Sequence, residues 1–238
     1  EQMNIVVILS GGVGSRMKMS RPKQYILVND KPVFLYSFLQ FCHRTDIDAF
    51  VIVVAPEWEE FIQKTLRTIT VQQPVFYAIP GSCRQSSIFN AMSVAKENLY
   101  IKDKDLIVIH DAVRPLVSDS IISKCLKYYE GFDGVLPVIP LKDTVYRSND
   151  SVNIVELLPR HELFAGQSPE SFYFLKYWTA HKNLSESEMG HITGGAELAH
   201  RGGLKIRLIE GSELNFKITT TKDLDDFQTF LNIYRPPQ

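Results

Sequence analysis

The sequence predicts an α/β fold with a mostly parallel sheet, because short apolar runs alternate with amphipathic stretches of helical length. Five apolar runs have the length and composition of buried strands: Ile5–Leu9, Phe50–Ala55, Val75–Ala78, Leu106–His110 and Gly134–Ile139. The helix-length stretches between them lie at about residues 32–44, 57–69, 84–98 and 118–129. Because the strands are apolar on both sides, we expect helices on both faces of the sheet. This pattern is typical of a Rossmann-like architecture.

The alternation stops after Pro140, and residues 141–165 carry no helical pattern. Two short β-like pieces, Thr144–Arg147 and Val152–Leu157, flank a polar tip at residues 148–151. We interpret this segment as a protruding, hairpin-like β-arm. Because a lone hairpin is marginally stable, we expect the arm to pack on another subunit, which makes the protein a homodimer. A flexible insertion is the alternative.

The remaining elements complete a single domain, for which we take residues 3–232. Helices are predicted at about residues 170–183, after Thr193 and at 221–232, with strands near 204–210 and 215–219. At 238 residues, the chain has room for one large domain or for one domain with an appendage.

Composition restricts the partners of the chain. The net charge of −1 offers no broad positive surface, so neither nucleic acid nor a membrane is a predicted partner. The sequence shows no basic-then-apolar signal and no apolar run near the roughly 18 residues of a membrane span. The three cysteines, Cys42, Cys83 and Cys125, lack metal-ligand spacing, which is typical of a reducing compartment. We therefore expect a cytoplasmic protein.

A glycine-rich loop, Gly11-Gly12-Val13-Gly14-Ser15-Arg16, follows the first apolar run. Glycines let backbone N–H groups converge on an anion, which makes such a loop a phosphate cradle. Arg16 and Lys23 add positive charge that can stabilise a reacting phosphoryl group. No Gly-Lys-Ser/Thr closes the loop as in a Walker A motif, and Met17 replaces the third glycine of a dinucleotide fingerprint. A tight turn with scattered surface charges is the alternative.

Two further loops, residues 81–87 and 111–115, also follow predicted strands. Because parallel strands end at one edge of a sheet, we expect all three loops to converge on one crevice. Asp111 is placed to hold Mg²⁺ beside a triphosphate, unless it only forms a turn. The segment 81–87 suits a nucleotide if it is more than a helix cap. Lys217 lies in a β-like run, where a lysine is commonly a solvated edge residue.

The lack of familiar catalytic arrangements in the sequence suits one reaction class. The sequence shows no Ser-His-Asp or Cys-His arrangement and no obvious general base. The histidines have no ligand spacing, so no zinc is predicted, and we expect His110 to be buried and hydrogen-bonded. A phosphate monoester is already an anionic nucleophile near neutral pH. Its attack on a nucleotide α-phosphate needs positioning and charge neutralisation rather than deprotonation.

These motifs together resemble the cytidylyltransferases that act on polyol phosphates, from about residue 3 to 232. The matching pieces, in order, are Gly-Gly-x-Gly-x-Arg-Met with Pro-Lys-Gln, Gly-x-x-Arg-x-x-Ser, His-Asp-Ala-Val-Arg-Pro, Asp-Thr-Val and Asn-x-Lys-Ile-Thr. The family includes the methylerythritol-phosphate enzyme of isoprenoid synthesis and the ribitol-5-phosphate enzyme of teichoic-acid and capsule synthesis. The substrates implied are CTP, with Mg²⁺, and a small polyol phosphate.

The resemblance implies a role for each matching residue. Arg16 and Lys23 would neutralise the pentacoordinate α-phosphate, and Lys217 would hold a phosphate near the metal. Asp111 would hold Mg²⁺ between the CTP phosphates. The nucleotide would be bound mainly by small residues and one arginine: Ser10, Gly11, Gly12, Gly14, Gly81, Arg84 and Ser87. The acceptor would be bound by four residues of one subunit: Asp111, Arg114, Ser168 and Thr193. Two residues from the arm of the other subunit, Thr144 and Arg160, would complete the acceptor site.

Two departures from the family pattern lie on the acceptor side. Gly194-Gly195 follow Thr193, where many relatives have acidic residues, and Glu170 ends a Gln-Ser-Pro-Glu segment where relatives often have Gln-Thr-Pro-Gln. The Ser-Gly-Gly opening, Val113 and Gly166-Gln167 favour ribitol 5-phosphate, with methylerythritol phosphate as the alternative. A third hypothesis is a non-catalytic nucleotide-binding protein on the same fold. The four charged residues that the reaction needs are all present, which argues against it: Arg16, Lys23, Asp111 and Lys217.

Overall fold

The computed structural model describes residues 2–12 and 21–234. Its strands are β1 (Asn4–Leu9), β2 (Leu27–Val28), β3 (Lys31–Pro32), β4 (Ala49–Val53), β5 (Val75–Ala78), β6 (Leu106–Asp111), β7 (Gly134–Pro140), β8 (Val145–Arg147), β9 (Glu156–Leu158), β10 (Phe164–Gly166), β11 (Glu170–Tyr173) and β12 (Ile206–Glu210). Its α-helices are α1 (Val33–Cys42), α2 (Pro56–Leu66), α3 (Arg84–Asn98), α4 (Asp119–Lys127), α5 (Phe174–Lys182), α6 (Glu186–Gly190), α7 (Gly195–Arg201) and α8 (Thr221–Tyr234).

Within the described residues the central sheet has eight strands, which confirms the predicted α/β class. The order is β10-β7-β11-β6-β1-β4-β5, and β12 pairs with β7. The pairs of β1 with β4 and β6 are parallel, as are β4 with β5 and β7 with β12. Strands β10 and β11 run antiparallel to their neighbours. The sheet is therefore mixed and mostly parallel.

Apolar side chains cover both faces of this sheet. Val6 and Ile8 of β1 belong to a cluster packed by α1, α2 and α4, whereas Ile5 and Val7 belong to one packed by α3, α5 and α7. The alternation follows from the two-residue period of a strand. Among residues 2–12 and 21–234, no helix is both long and apolar enough to cross a membrane.

One predicted helix starts later than expected, and one predicted strand is absent from the described residues. The helix expected at 170–183 begins only at Phe174, because Glu170–Tyr173 forms β11 between β6 and β7. The strand expected at 215–219 is irregular. There, Ile218 N–H donates to Val113 O at 2.9 Å and Asn215 Nδ2 donates to Ser168 O at 2.7 Å. Specific hydrogen bonds thus replace a strand ladder.

A hairpin lies where the β-arm was predicted. Strand β8 pairs antiparallel with β9, and the Asp150 carboxylate accepts hydrogen bonds from Val152 N–H and Asn153 N–H in the tip. The last residues of the predicted segment join the central sheet as β10, so the hairpin ends earlier than residue 165. Its packing on a second subunit stays a prediction.

Candidate functional site

Two adjoining cavities lie at the carboxyl ends of the central parallel strands. The first, here called the loop cavity, has a volume of about 490 Å³ and is lined by residues at or after the ends of β1, β5 and β6, among them Gly12, Lys23, Gly81 and Asp111. The second, here called the side cavity, has a volume of about 340 Å³ and is lined by residues that include Gln167 and Thr193. The predicted convergence of the three loops is therefore confirmed for their described residues.

Among residues 2–12 and 21–234, three charged residues line both cavities: Arg84, Asp111 and Lys217. Arg84 begins α3, Asp111 ends β6 and Lys217 lies in the irregular segment before α8. Their positions in sequence are far apart, and the strand order brings them to one boundary. A ligand in either cavity would meet this boundary.

The start of the glycine loop is held by the short segment that contains Lys23. Gln24 Nε2 donates to the carbonyls of Ser10 at 2.8 Å and Gly12 at 2.7 Å, and Tyr25 OH donates to Ser10 O at 2.7 Å. A Cβ on Gly11 would come within 2.7 Å of Pro80, so only glycine fits there. Gln24 belongs to the Pro-Lys-Gln motif, but its anchoring role was not predicted.

Two predicted residues of this loop, Gly14 and Arg16, lie outside the described residues. Ser10, Gly11, Gly12 and Lys23 are described, and the last three line the loop cavity. Ser10 is buried directly behind them.

The segment after β5 forms a tight turn into α3. Gly81 N–H donates to Ser87 Oγ at 2.9 Å, and Ser87 Oγ donates in turn to Cys83 O at 2.9 Å. A Cβ on Gly81 would overlap Ser86 Oγ, so this close approach requires glycine. The turn brings Gly81, Ser87 and Arg84 to the loop cavity, as the sequence predicted.

Asp111 is an ionised carboxylate surrounded by cations. Its Oδ1 lies 3.5 Å from Arg84 Nη2, and its Oδ2 lies 3.2 Å from Lys217 Nζ and 3.5 Å from Arg114 Nε. Burial alone would raise the pKa of Asp111, but these three cations hold that pKa well below its usual range. Only 8% of the residue is exposed, and it lines both cavities.

A buried hydrogen-bond chain fixes the end of β6. Asp111 N–H donates to Ser168 Oγ at 3.1 Å, and Ser168 Oγ lies 3.0 Å from His110 Nδ1. His110 Nε2 lies 3.0 Å from Arg114 O, which can only accept, so Nε2 carries the proton. Burial lowers the pKa of His110 to about 4, and the ring is neutral. His110 is therefore buried and hydrogen-bonded, as expected.

Arg114 and Lys217 are placed by the irregular segment before α8. Arg114 Nη1 donates to Asn215 O at 2.6 Å, and the buried Asn215 side chain reaches Ser168 O. Lys217 is thus not the strand residue that was predicted, and its Nζ lies 3.2 Å from Asp111 Oδ2, a contact that was not predicted.

Sequence reasoning missed the main partner of Arg84. Glu170 Oε1 accepts from Arg84 Nη1 at 2.8 Å, and Glu170 Oε2 accepts from Ala196 N–H at 3.1 Å. Burial alone would lower the pKa of Arg84, but Glu170 and Asp111 raise it above its ordinary value. The only signal in the sequence was that Glu170 departs from the family pattern.

The predicted acceptor residues fall into two groups. Arg114, Ser168 and Thr193 line the side cavity, although the Ser168 hydroxyl is buried in the chain described above. Thr144 and Arg160 are exposed on the arm, and neither is among the described residues that line the two cavities. Arg160 Nη1 donates to the Lys142 carbonyl.

The described residues contain no group of three or more His, Cys, Asp or Glu side chains that could hold a metal ion. Asp111 lines both cavities, and a cation could bind to its single carboxylate together with oxygen atoms of a ligand.

Comparison with known proteins relates the site to a family. Residues 4–232 match the family model described as "IspD: 2-C-methyl-D-erythritol 4-phosphate cytidylyltransferase". The ribitol-5-phosphate cytidylyltransferase of Lactiplantibacillus plantarum is 29% identical over 219 residues, which cover 91% of this chain and 93% of that protein. The ribitol-5-phosphate cytidylyltransferase of Vibrio parahaemolyticus is 28% identical, with coverage of 97% and 96%.

The fold is similar to solved structures as well. The 4-diphosphocytidyl-2C-methyl-D-erythritol synthase of Anaerococcus prevotii superposes with a TM-score of 0.80 at 22% identity, and the match covers 97% of this chain and 96% of that one. At this identity the likeness confirms the fold.

Proposed function

We propose that this protein transfers CMP from CTP to a polyol phosphate and releases pyrophosphate. The chain belongs to the 2-C-methyl-D-erythritol 4-phosphate cytidylyltransferase family. The favoured acceptor is ribitol 5-phosphate, which would give CDP-ribitol for surface polysaccharide synthesis. Membership of the family makes the chain a CTP-dependent nucleotidyltransferase. The acceptor and the roles of single residues are our inference.

The observation that carries the proposal is the charged boundary between the two cavities. CTP would occupy the loop cavity, whose volume is within the usual range for ligand pockets. The acceptor would enter the side cavity. Arg84, Asp111 and Lys217 would then lie where the acceptor phosphate meets the α-phosphate of CTP.

This arrangement suits a reaction that needs charge rather than a base. The acceptor phosphate supplies its own anionic oxygen, which forms a new P–O bond at the α-phosphorus while the bond to the β-phosphate oxygen breaks. Lys23 and Lys217 would offset the negative charge of the pentacoordinate transition state. Arg16, which lies outside the described residues, would act with Lys23.

The residues present fit a magnesium ion. Asp111 is ionised and open to both cavities, and Mg²⁺ is commonly held by one or two carboxylates together with substrate phosphates. Asp111 would therefore hold the ion, and the triphosphate would complete the coordination. When bound, Mg²⁺ would neutralise the leaving pyrophosphate.

Nucleotide recognition would depend on backbone groups. The carbonyls of Ser10 and Gly12 are fixed by Gln24, and Gly81 is fixed by Ser87, so this rim of the loop cavity is preorganised. Preorganised N–H and C=O groups can distinguish cytosine from other bases at low entropic cost.

The assembly we propose is a homodimer built through the arm. Several apolar side chains of the arm are strongly exposed: Tyr146, Val152, Ile154, Val155 and Leu157. An exposed apolar cluster of this kind is typical of an interaction surface. Thr144 and Arg160 lie on the same arm, away from the cavities of their own chain, and would complete the side cavity of the partner.

Ribitol 5-phosphate is favoured over methylerythritol phosphate by the names of the two relatives given above and by the residues that favoured it in the sequence. The family model carries the other acceptor's name.

The test is pyrophosphate release from CTP and Mg²⁺ with ribitol 5-phosphate, methylerythritol phosphate or glycerol phosphate at equal concentration. We expect the highest kcat/KM with ribitol 5-phosphate. A higher value with methylerythritol phosphate would assign the other acceptor, and no release with any of them would refute the function.

A further inference from the structure

Glu170 is a buried carboxylate that joins two separate elements at the cavity boundary. Only 4% of the residue is exposed, and it lies on β11 in the wall of the side cavity. One oxygen accepts from Arg84 Nη1 on α3, and the other accepts from Ala196 N–H on α7. Each oxygen therefore serves a different donor.

A carboxylate is required for this pair of contacts. A glutamine at position 170 has one carbonyl oxygen and one NH₂ group, which cannot accept. It would turn a donor towards either Arg84 or the Ala196 N–H. Unpaired buried donors are costly, so the position favours glutamate.

The carboxylate of Glu170 occupies the space that a side chain at residue 195 would fill. A Cβ on residue 195 would overlap Glu170 Oε1 and come within 2.7 Å of Tyr177 OH. A side chain at 195 and the carboxylate of Glu170 thus compete for one volume. The same geometry gives a physical reason for two departures in the sequence, the glutamate at 170 and the glycine at 195.

We propose that Glu170 is the positioning residue for Arg84, and that it holds the guanidinium at the boundary where the two substrates meet. Arg84 Nη1 is fixed by Glu170, which leaves Nη2 beside Asp111 at 3.5 Å. Displacement of this group by about 1 Å can cost roughly 100-fold in rate. The inference rests on the proposed function for its kinetic part only.

The negative charge that Glu170→Ala removes can be supplied instead from residue 195. Glu170→Ala removes the carboxylate that crowds residue 195, but a Cβ there would still lie 2.7 Å from the Tyr177 hydroxyl. All variants of this series therefore carry Tyr177→Phe, and the Tyr177→Phe protein is their wild-type reference. In that background, Glu170→Ala with Gly195→Asp would bring a carboxylate towards Arg84. Gly195→Asn in the same background has nearly the same shape without the charge and is the matched control. Glu130→Gln, which alters an exposed carboxylate beyond α4, controls for net charge.

We expect Glu170→Ala to lower kcat by roughly 10–100-fold with KM for CTP changed less than about threefold. Glu170→Ala/Gly195→Asp should recover kcat to within about fivefold of the wild type. Glu170→Ala/Gly195→Asn should stay at the level of the single variant. Wild-type kcat in Glu170→Ala, or equal kcat in the Asp and Asn double variants, would overturn the proposal.

Thermal unfolding of the same proteins needs no substrate and separates this inference from the proposed function. The Asp double variant should have a Tm higher than the Asn double variant by a few degrees, since only the former restores a buried ion pair. If the wild type transfers nothing but this difference is present, the proposed function fails and the role of Glu170 stands. Equal Tm values in an inactive series would refute the role of Glu170 as well.

Discussion

Replacing Asp111 with asparagine tests the charge balance of the cavity boundary. Asparagine keeps the shape of the side chain but removes the negative charge that Arg84, Arg114 and Lys217 share at 3.2–3.5 Å. Arg84 keeps its ion pair with Glu170, and the Lys217 side chain is 40% exposed and can be hydrated. The loss of folding stability therefore comes mainly from Arg114, whose largely buried guanidinium is left without its ion-pair partner.

The magnitude follows from these differences. Removing one partner of a buried ion pair costs about 3–5 kcal/mol. Because two of the three cations retain other stabilisation, the lower end applies, and we expect a loss of about 3 kcal/mol in the free energy of unfolding. For a chain of this size that corresponds to a Tm lower by about 6–12 °C. Mg²⁺-dependent transfer should fall severely, since a neutral amide is a much poorer ligand for a hard dication.

The assay combines urea and thermal unfolding with pyrophosphate release over a range of Mg²⁺ concentrations. Asp225→Asn, a matched change at an exposed position on α8, serves as the control and should alter neither quantity. Full transfer by Asp111→Asn at ordinary Mg²⁺ concentrations, with an unchanged Tm, would refute the reasoning and move the metal to another carboxylate.

Three further predictions concern the reaction, the assembly and the pH dependence of folding. Lys23→Ala should lower kcat by about 10²–10³ while CTP binding, measured by calorimetry, is largely retained, because the charge acts mainly in the transition state; near wild-type turnover would contradict this. Arg160→Ala should raise KM for the acceptor far more than KM for CTP. Mixing it with Lys23→Ala should partly restore activity, since one site of the heterodimer then has neither lesion; no recovery despite subunit exchange would mean that each site uses one chain. Finally, burial lowers the pKa of His181 to about 4, below its value of about 6.5 in the unfolded chain. The unfolded state therefore binds the extra proton, so stability falls as the pH drops from about 6.5 towards 4, by about 2 kcal/mol between pH 7 and 5. His181→Phe should lose that part of the slope in urea titrations at several pH values, and an unchanged slope would show that His181 is not buried as a neutral ring.

The fold was predictable where burial alone determines the element. The five apolar runs became strands of the central sheet, because a strand covered on both faces must be apolar throughout. Two of them, β6 and β7, have both parallel and antiparallel neighbours. Strand β11 was not predictable in the same way. Its four residues run directly into α5, and the strand exists because it pairs with β6 and β7, which lie far away in sequence.

The site was predictable to the extent that it lies at strand ends. Asp111 ends β6 and Gly81 follows β5, so the rule for parallel sheets was sufficient to bring them together. The ion pair of Arg84 with Glu170 spans 86 residues and depends on where β11 lies. No local pattern contains that information. Lys217 was predicted in a strand because its neighbours are β-branched or aromatic, whereas hydrogen bonds of Asn215 and Ile218 fix its segment.

The most direct test of the account follows the phosphorus atoms of CTP. The protein is incubated with Mg²⁺, a polyol phosphate and CTP labelled at either the α- or the γ-phosphate, and the products are separated. The α label should appear in a CDP-linked polyol and the γ label in pyrophosphate, in equal amounts and only when the acceptor is present. Release of the α label as CMP, or transfer of the γ label to the acceptor, would contradict attack at the α-phosphate across the boundary of Arg84, Asp111 and Lys217.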